Sequence, residues 1–201
     1  MPERVDKDMG AAAVTLDYDA ELMLRVKDGD GASFGVLLDK HRSSVIHFLY
    51  RMVQNQAVAE ELAQDVFLRV YRSRATYEPT AKFTTWLFRI ATHLALNALR
   101  DGKNQRLEDR LDDHAAEMPA RQVHDGKPSA EQVLVYQVRL EEVRRAVAAL
   151  PDKQRAAVLM HKYEEMEYTQ IAKVLNCSES AVKSLLFRAY ETLRARLAHM
   201  A

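Results

Sequence analysis

From Asp19 almost to the C-terminus, apolar residues recur at steps of three and four, the spacing that gathers them on one face of an α-helix. A short helix starts at Asp19 and ends at the break Asp28-Gly29-Asp30-Gly31. After it, Phe34, Leu37, Leu38, His41, Val45, Phe48, Leu49 and Met52 form one stripe of a long amphipathic helix. A third helix is predicted over about Val58 to Arg72, with Val58, Leu62, Val66 and Val70 inward, and a fourth over about Thr84 to Arg100, marked by Leu87, Ile90, Ala91, Leu94 and Ala98. Between them Arg74 to Lys82 contains Pro79 and reads as an ordered loop. Strand-like alternation is absent, so the fold class expected is all-α.

The period lapses in two places. Residues 1–16 predict a flexible N-terminal tail, and residues 101–129, where charges accumulate with Gly102, Pro119, Gly126 and Pro128, predict a flexible linker. Two small helical domains, 17–100 and 130–201, are the result. Ser129 and Gln132 form the two ends of a capping box opening a helix striped by Tyr136, Leu140, Val143, Val147 and Leu150. Pro151 stops that helix and suits the first turn of the next, which leads through Leu159 and Tyr163.

The stretch Tyr168 to Phe187, YTQIAKVLNCSESAVKSLLF, has the spacing of a helix-turn-helix. Two helices meet at that steep angle only where a small residue lets the backbones approach, the turn accepts a left-handed residue, and apolar side chains bridge both helices. Ala172 is the small residue, Asn176 takes the turn, and Ile171, Leu175, Val182 and Leu185 supply the shared core. Ser178 is placed to cap the second helix. Its outer face carries Ser180, Lys183, Ser184 and Arg188, groups that reach base edges and phosphates in a major groove.

Composition narrows the partners. Lys+Arg 29 balances Asp+Glu 29, so affinity for nucleic acid must come from local basic patches. The single cysteine, Cys177, excludes an internal disulfide and reads as a packing residue in the turn; with no run of apolar residues long enough for a membrane span, it suits a cytoplasmic protein. Neither His, Cys and carboxylate groups at metal-ligand spacing nor a Gly-rich phosphate loop is found, so no cofactor, metal, small-molecule substrate or enzymatic activity is expected.

The fourth helix carries a second candidate surface. Trp86, Arg89, His93, Asn97 and Arg100 recur at steps of three and four, placing an aromatic plane beside cationic and hydrogen-bonding groups, as single-stranded DNA binding requires. Taken alone, the same stripe equally fits a Trp packed into the core beside a solvated face.

Three segments in order, AEELAQDVFLRVYR at 59–72, FTTWLFRIATHLALNALR at 83–100 and LPDKQRAAVLMHKYEEMEYTQIAKVLNCSESAVKSLLFRAYETLR at 150–194, resemble the extracytoplasmic-function sigma factors of bacterial RNA polymerase. The resemblance covers about Asp17 to Leu197. It implies an N-terminal region 2 that binds core polymerase and opens the promoter −10 element, a C-terminal region 4 that reads the −35 element, and control by an anti-sigma factor. On the matching positions it implies that Gln64, Asp65, Arg69 and Arg72 meet the clamp helices of the largest polymerase subunit, with the flap as a further partner. Trp86, Arg89, His93, Asn97 and Arg100 fall on its −10 face, with Tyr77, Thr80 and Lys82 in the loop that captures a flipped base. Ser178, Ser180, Lys183, Ser184 and Arg188 fall at the −35 helix and Arg155 at a phosphate contact. His93 stands where the family usually shows Asn, Asn97 where it shows Asp, and Glu167 where a capping Ser or Thr is usual. The competing reading is an autonomous repressor or activator, for which a dimerisation element would be expected to supply a second half-site. No such element is evident in the sequence.

Overall fold

The computed structural model describes residues 17–108 and 130–200, with side chains described over 17–102 and 136–200. The expected tail 1–16, most of the expected linker and Ser129 of the capping box lie outside the described residues. Every regular element among the described residues is helical.

The N-terminal half contains α1 (Tyr18–Lys27), α2 (Gly31–Val53), α3 (Gln56–Arg72) and α4 (Phe83–Glu108), with one 3₁₀ turn at Arg74–Thr76. Side-chain caps set three of these starts. Asp17 accepts from the Ala20 amide at 2.7 Å, Asp30 from Ala32 at 2.9 Å and Ser33 at 3.2 Å, and Asn55 from Val58 at 3.1 Å. Gln54 ends α2 in the left-handed region, φ 57°. Met23, Leu37, Leu49, Met52 and Leu87 are fully enclosed between the four helices, and Phe48 meets Phe88 edge-on at 5.2 Å. Enclosing each such side chain stabilises the fold by about 1.5–3 kcal/mol.

Two details depart from the periodicity. On α3 the buried set is Ala59, Ala63, Val66, Phe67 and Val70, while Val58 and Leu62 stay half-buried at the rim. The two alanines let α3 approach its neighbours closely, which turns the seam by one residue. And α4 continues past Arg100 to Glu108, because no proline interrupts Asp101–Glu108 and one glycine costs a helix only about 1 kcal/mol.

The C-terminal half contains α5 (Ala130–Ala148), α6 (Asp152–Tyr163), α7 (Tyr168–Leu175) and α8 (Glu179–Leu197), closed by a 3₁₀ turn at Ala198–Met200. Its core is Leu150, Leu159, Met160, Ile171, Val182 and Leu186.

Two helical units were expected; their packing against each other was not legible. α7 lies along α4 and α6 lies against α2, so one apolar core runs through both halves. Arg155 on α6 is the polar centre of this seam. It is 8% exposed, its guanidinium donates to the carbonyls of Met52, Ala148 and Leu150, and Asp152 stands 3.7 Å away. Arg51 of α2 stacks over the Tyr163 ring at 4.0 Å. Beside them, burial pushes the Glu164 carboxyl up to about 7, with Arg51 pulling the other way.

Candidate nucleic-acid interfaces

The helix-turn-helix forms as its residues require. Asn176 takes the left-handed conformation at φ 50°, and Ser178 accepts from the Ala181 amide at 3.2 Å to start α8. Glu167, at the N-cap of α7, receives help from Gln170, whose side-chain oxygen accepts the Glu167 amide at 2.8 Å. That reciprocal bond explains how a Glu stands where a hydroxyl is usual. Ala172, Ile171, Leu175 and Val182 are buried, Leu185 is partly buried, and Cys177 sits half-buried against the same core.

What remains outward on α8 is the candidate reading face: Ser178, Ser180, Lys183, Ser184 and Arg188 are all exposed. Ser184 is committed in part, since its hydroxyl donates to the Ser180 carbonyl at 3.0 Å. Lys183 and Arg188 make no ion pair among the described residues, so both cations are available to a phosphate or a base edge. A shallow concavity of about 460 Å³ runs beside them, lined by Lys153, Cys177, Ser178, Ser180, Ser184 and Arg188. Arg155 does not join this surface; it is enclosed in the seam.

The face of α4 is built differently. Arg89, His93 and Arg100 are exposed, Asn97 is half-buried, and Trp86 is half-buried against the core. Tyr77 lies beneath Trp86, with ring centroids 4.9 Å apart, and Phe83 lies 5.8 Å from the same indole. Tyr77 is only 3% exposed, which makes it the floor under Trp86 rather than part of the outer surface. Burial, then Asp17 and Asp19, push its hydroxyl up to about 12, so the ring stays neutral. Thr80 and Lys82 in the following loop are exposed. The two alternatives for Trp86 are thus combined in one side chain: one part packs on Tyr77 and Phe83, and the other is left to solvent.

Gln64, Asp65, Arg69 and Arg72 share the exposed outer side of α3. Sequence reasoning passed over what lies next to them. A groove of about 600 Å³ between α2 and α3 is floored by Phe34, Leu38, Ile46, Phe67, Leu68 and Tyr71, with Gln64 on its rim. Leu68 and Tyr71 remain 43% and 39% exposed. Their signal was available: they stand off the inner stripe of α3 and form a second apolar edge.

The chain matches the family models "Sigma-70 region 2" over residues 37–105 and "Sigma-70, region 4" over residues 140–193. It is 34% identical to RNA polymerase sigma factor CarQ of Myxococcus xanthus, over 89% of this chain and 97% of that protein. It is 29% identical to ECF RNA polymerase sigma factor SigW of Bacillus subtilis strain 168, over 86% of this chain and 93% of that protein. Among solved structures, CnrH in complex with the cytosolic domain of CnrY superposes with a TM-score of 0.68 at 19% identity, covering 92% of this chain and 100% of that one. Sigma factor RpoE from Bartonella quintana, in complex with the anti-sigma factor NepR, superposes at 0.66 and 20% identity, over 82% and 96%. At those identities the likeness is one of fold.

Proposed function

Because the chain belongs to the extracytoplasmic-function sigma factors of bacterial RNA polymerase, we propose a division of its transcription-initiation role among three surfaces of its own. The outer side of α3, with Gln64, Asp65, Arg69, Arg72 and the adjoining groove, takes the core enzyme. The α4 face of Trp86, Arg89, His93, Asn97 and Arg100, with Thr80 and Lys82, takes the −10 element and holds it open. The α8 face of Ser178, Ser180, Lys183, Ser184 and Arg188 reads the −35 duplex. The protein acts without chemistry of its own, in the cytoplasm beside the polymerase; no helix among the described residues is long and apolar enough to cross a membrane.

The observation that carries this reading is that one chain presents two unlike exposed surfaces, a cationic helix face beside a supported indole on α4 and a polar, unpaired cationic face on α8. An aromatic platform serves unstacked bases, whereas serine, lysine and arginine serve an intact major groove. The packed arrangement of the two halves is not the reading arrangement. By their numbering the two promoter elements lie about 25 base pairs apart, about 85 Å at 3.4 Å per pair. A compact chain of this length has a radius of gyration of roughly 16 Å. The seam through Arg155 therefore parts when the polymerase holds both elements. A packed form with both readers short of their spacing is also a form that an anti-sigma factor would hold, the kind of partner present with the solved relative from Bartonella quintana.

The test is reconstitution. Core polymerase with this protein should start transcription at promoters that core alone ignores, and Asp65→Arg should weaken core binding while helical content is kept, since Asp65 is exposed and off the buried stripe. Tight, sequence-specific binding to duplex promoter by the free protein at physiological salt would overturn the reading in favour of an autonomous regulator.

A further inference from the structure

α1 precedes the segment matched by the region 2 model, which starts at residue 37, so the family match assigns it nothing. Yet the two ends of α1 hold the two ends of the loop below Trp86. At its start, Asp17 divides its carboxylate: Oδ1 accepts from the Ala20 amide at 2.7 Å, and Oδ2 accepts from the Phe83 amide at 3.2 Å, sixty-six residues away. At its end, the Lys27 ammonium donates to the Tyr77 carbonyl at 3.0 Å. Tyr77 opens the loop and Phe83 closes it, so α1 brackets the segment 77–83.

Each bond answers a need on the other side. Phe83 is the first residue of α4 and is fully buried, so its amide has neither an intrahelical acceptor nor water. The first turn of α4 has no acidic residue of its own, and Asp17 supplies from outside the negative charge that a helix N-terminus favours. The Tyr77 hydroxyl is enclosed without a hydrogen-bond partner among the described residues, so the ring is held by packing and by the Lys27 bond to its backbone. α1 itself is fixed to α2 through Asp19, which is 7% exposed and meets Lys40 at 2.6 Å and His41 at 2.9 Å.

We propose that Asp17 and Lys27 are positioning residues for promoter opening: they fix loop 77–83, and through Tyr77 and Phe83 the plane of Trp86, before any base arrives. The proposal rests on the −10 reading of α4 given above. An indole that must stack on an unstacked base works only if its orientation is set in advance, because a flexible platform would lose in ordering what stacking returns.

Two substitutions separate positioning from folding. Asp17→Asn keeps one side-chain oxygen, enough to cap one helix as well as Asp does, but it cannot serve both amides as a carboxylate does. Lys27→Met keeps the aliphatic stem and removes only the donor. Trp86 is the single tryptophan of the chain, so its fluorescence reports this site alone in the free protein. Both variants are expected to keep helical content and core binding, to shift the Trp86 emission to the red, and to lower permanganate reactivity of −10 thymines in the holoenzyme about fivefold, the factor one net hydrogen bond is worth. The promoter used is one that wild-type holoenzyme opens. If Asp17→Asn loses helical content, Lys27→Met decides. Wild-type opening in both variants overturns the proposal, whether or not emission moves. Trp86→Ala, measured alongside, separates the two failures: normal opening without Trp86 removes the −10 reading and this proposal together, whereas a defect without Trp86 and none without the α1 bonds removes this proposal alone.

Discussion

The two candidate readers are both single helix faces, yet they are held in opposite ways. On α8 the candidate side chains lie exposed beyond a turn whose every requirement is local: a left-handed Asn176, a capping Ser178 and a shared core within twenty residues. On α4 the candidate aromatic is half sunk, floored by Tyr77 and Phe83, and the loop beneath it is tied to a helix fifty or more residues earlier. A major groove is a fixed surface with a fixed code, so long side chains on a rigid helix can search it. A melted base has no fixed place until something provides one, so the protein must bring the rigid plane.

The largest effect is expected at Arg155, which in the packed form belongs to the seam and not to the α8 face. With its guanidinium donating to three backbone carbonyls, Arg155→Ala leaves those acceptors without their donors, and bonds to a charged group are worth about 1.5–3 kcal/mol each. The thermal midpoint should fall by many degrees, and Arg155→Lys should not restore it, because an ammonium lacks the guanidinium fork. Unchanged stability would remove Arg155 from the seam, and a shallower salt dependence of −35 binding would add a phosphate contact made once the seam parts.

Trp86→Ala tests the other reader. Stacking on one base is worth about 1–3 kcal/mol, so opening should fall roughly tenfold or more while closed complexes form normally. Permanganate footprinting compared with electrophoretic detection of the closed complex measures the split; equal opening would reduce Trp86 to core packing.

Lys183→Ala and Arg188→Ala sharpen the α8 side. If either side chain reads a base, the −35 site should lose about 1–3 kcal/mol and tolerate substitution at one base pair. A phosphate contact instead lowers the salt slope by about one unit and leaves sequence preference intact. Titration across salt concentration on consensus and mutated duplexes tells them apart.

The smallest expected effect is a pH dependence of the seam. Glu164 is raised to about 7 by burial, so the packed form favours its protonated state. That contribution is complete below the unfolded value near 4.5 and is lost as pH rises through about 7. Wild-type protein should therefore show a lower thermal midpoint at pH 8 than at pH 5 by more than Glu164→Gln does; parallel profiles would exclude this carboxyl.

The readable parts of the molecule are those whose causes lie close together in the chain. Helix faces, the turn at Asn176, the cap at Ser178 and the exposed sides of Lys183, Arg188, Arg89 and His93 all follow from spacing, propensity and local caps, and the structure places them accordingly. Loop 77–83 was legible only as a segment: Tyr77 looked available to DNA, and its burial depends on Trp86, Phe83, Asp17 and Lys27 meeting around it. Arg155, which the family resemblance sets at a phosphate contact, is enclosed in this packed form for the same reason: α2 brings the Met52 carbonyl to it. Sequence alone determined that the described residues are helical, where every helix but α3 turns its inner face, and that the last two carry the turn of a helix-turn-helix, because periodicity and capping act over one or two turns. The tertiary structure decided which side chains were withdrawn from the surface and what holds the loop under Trp86, because a buried charge or amide takes whatever partner packing delivers, at any distance along the chain.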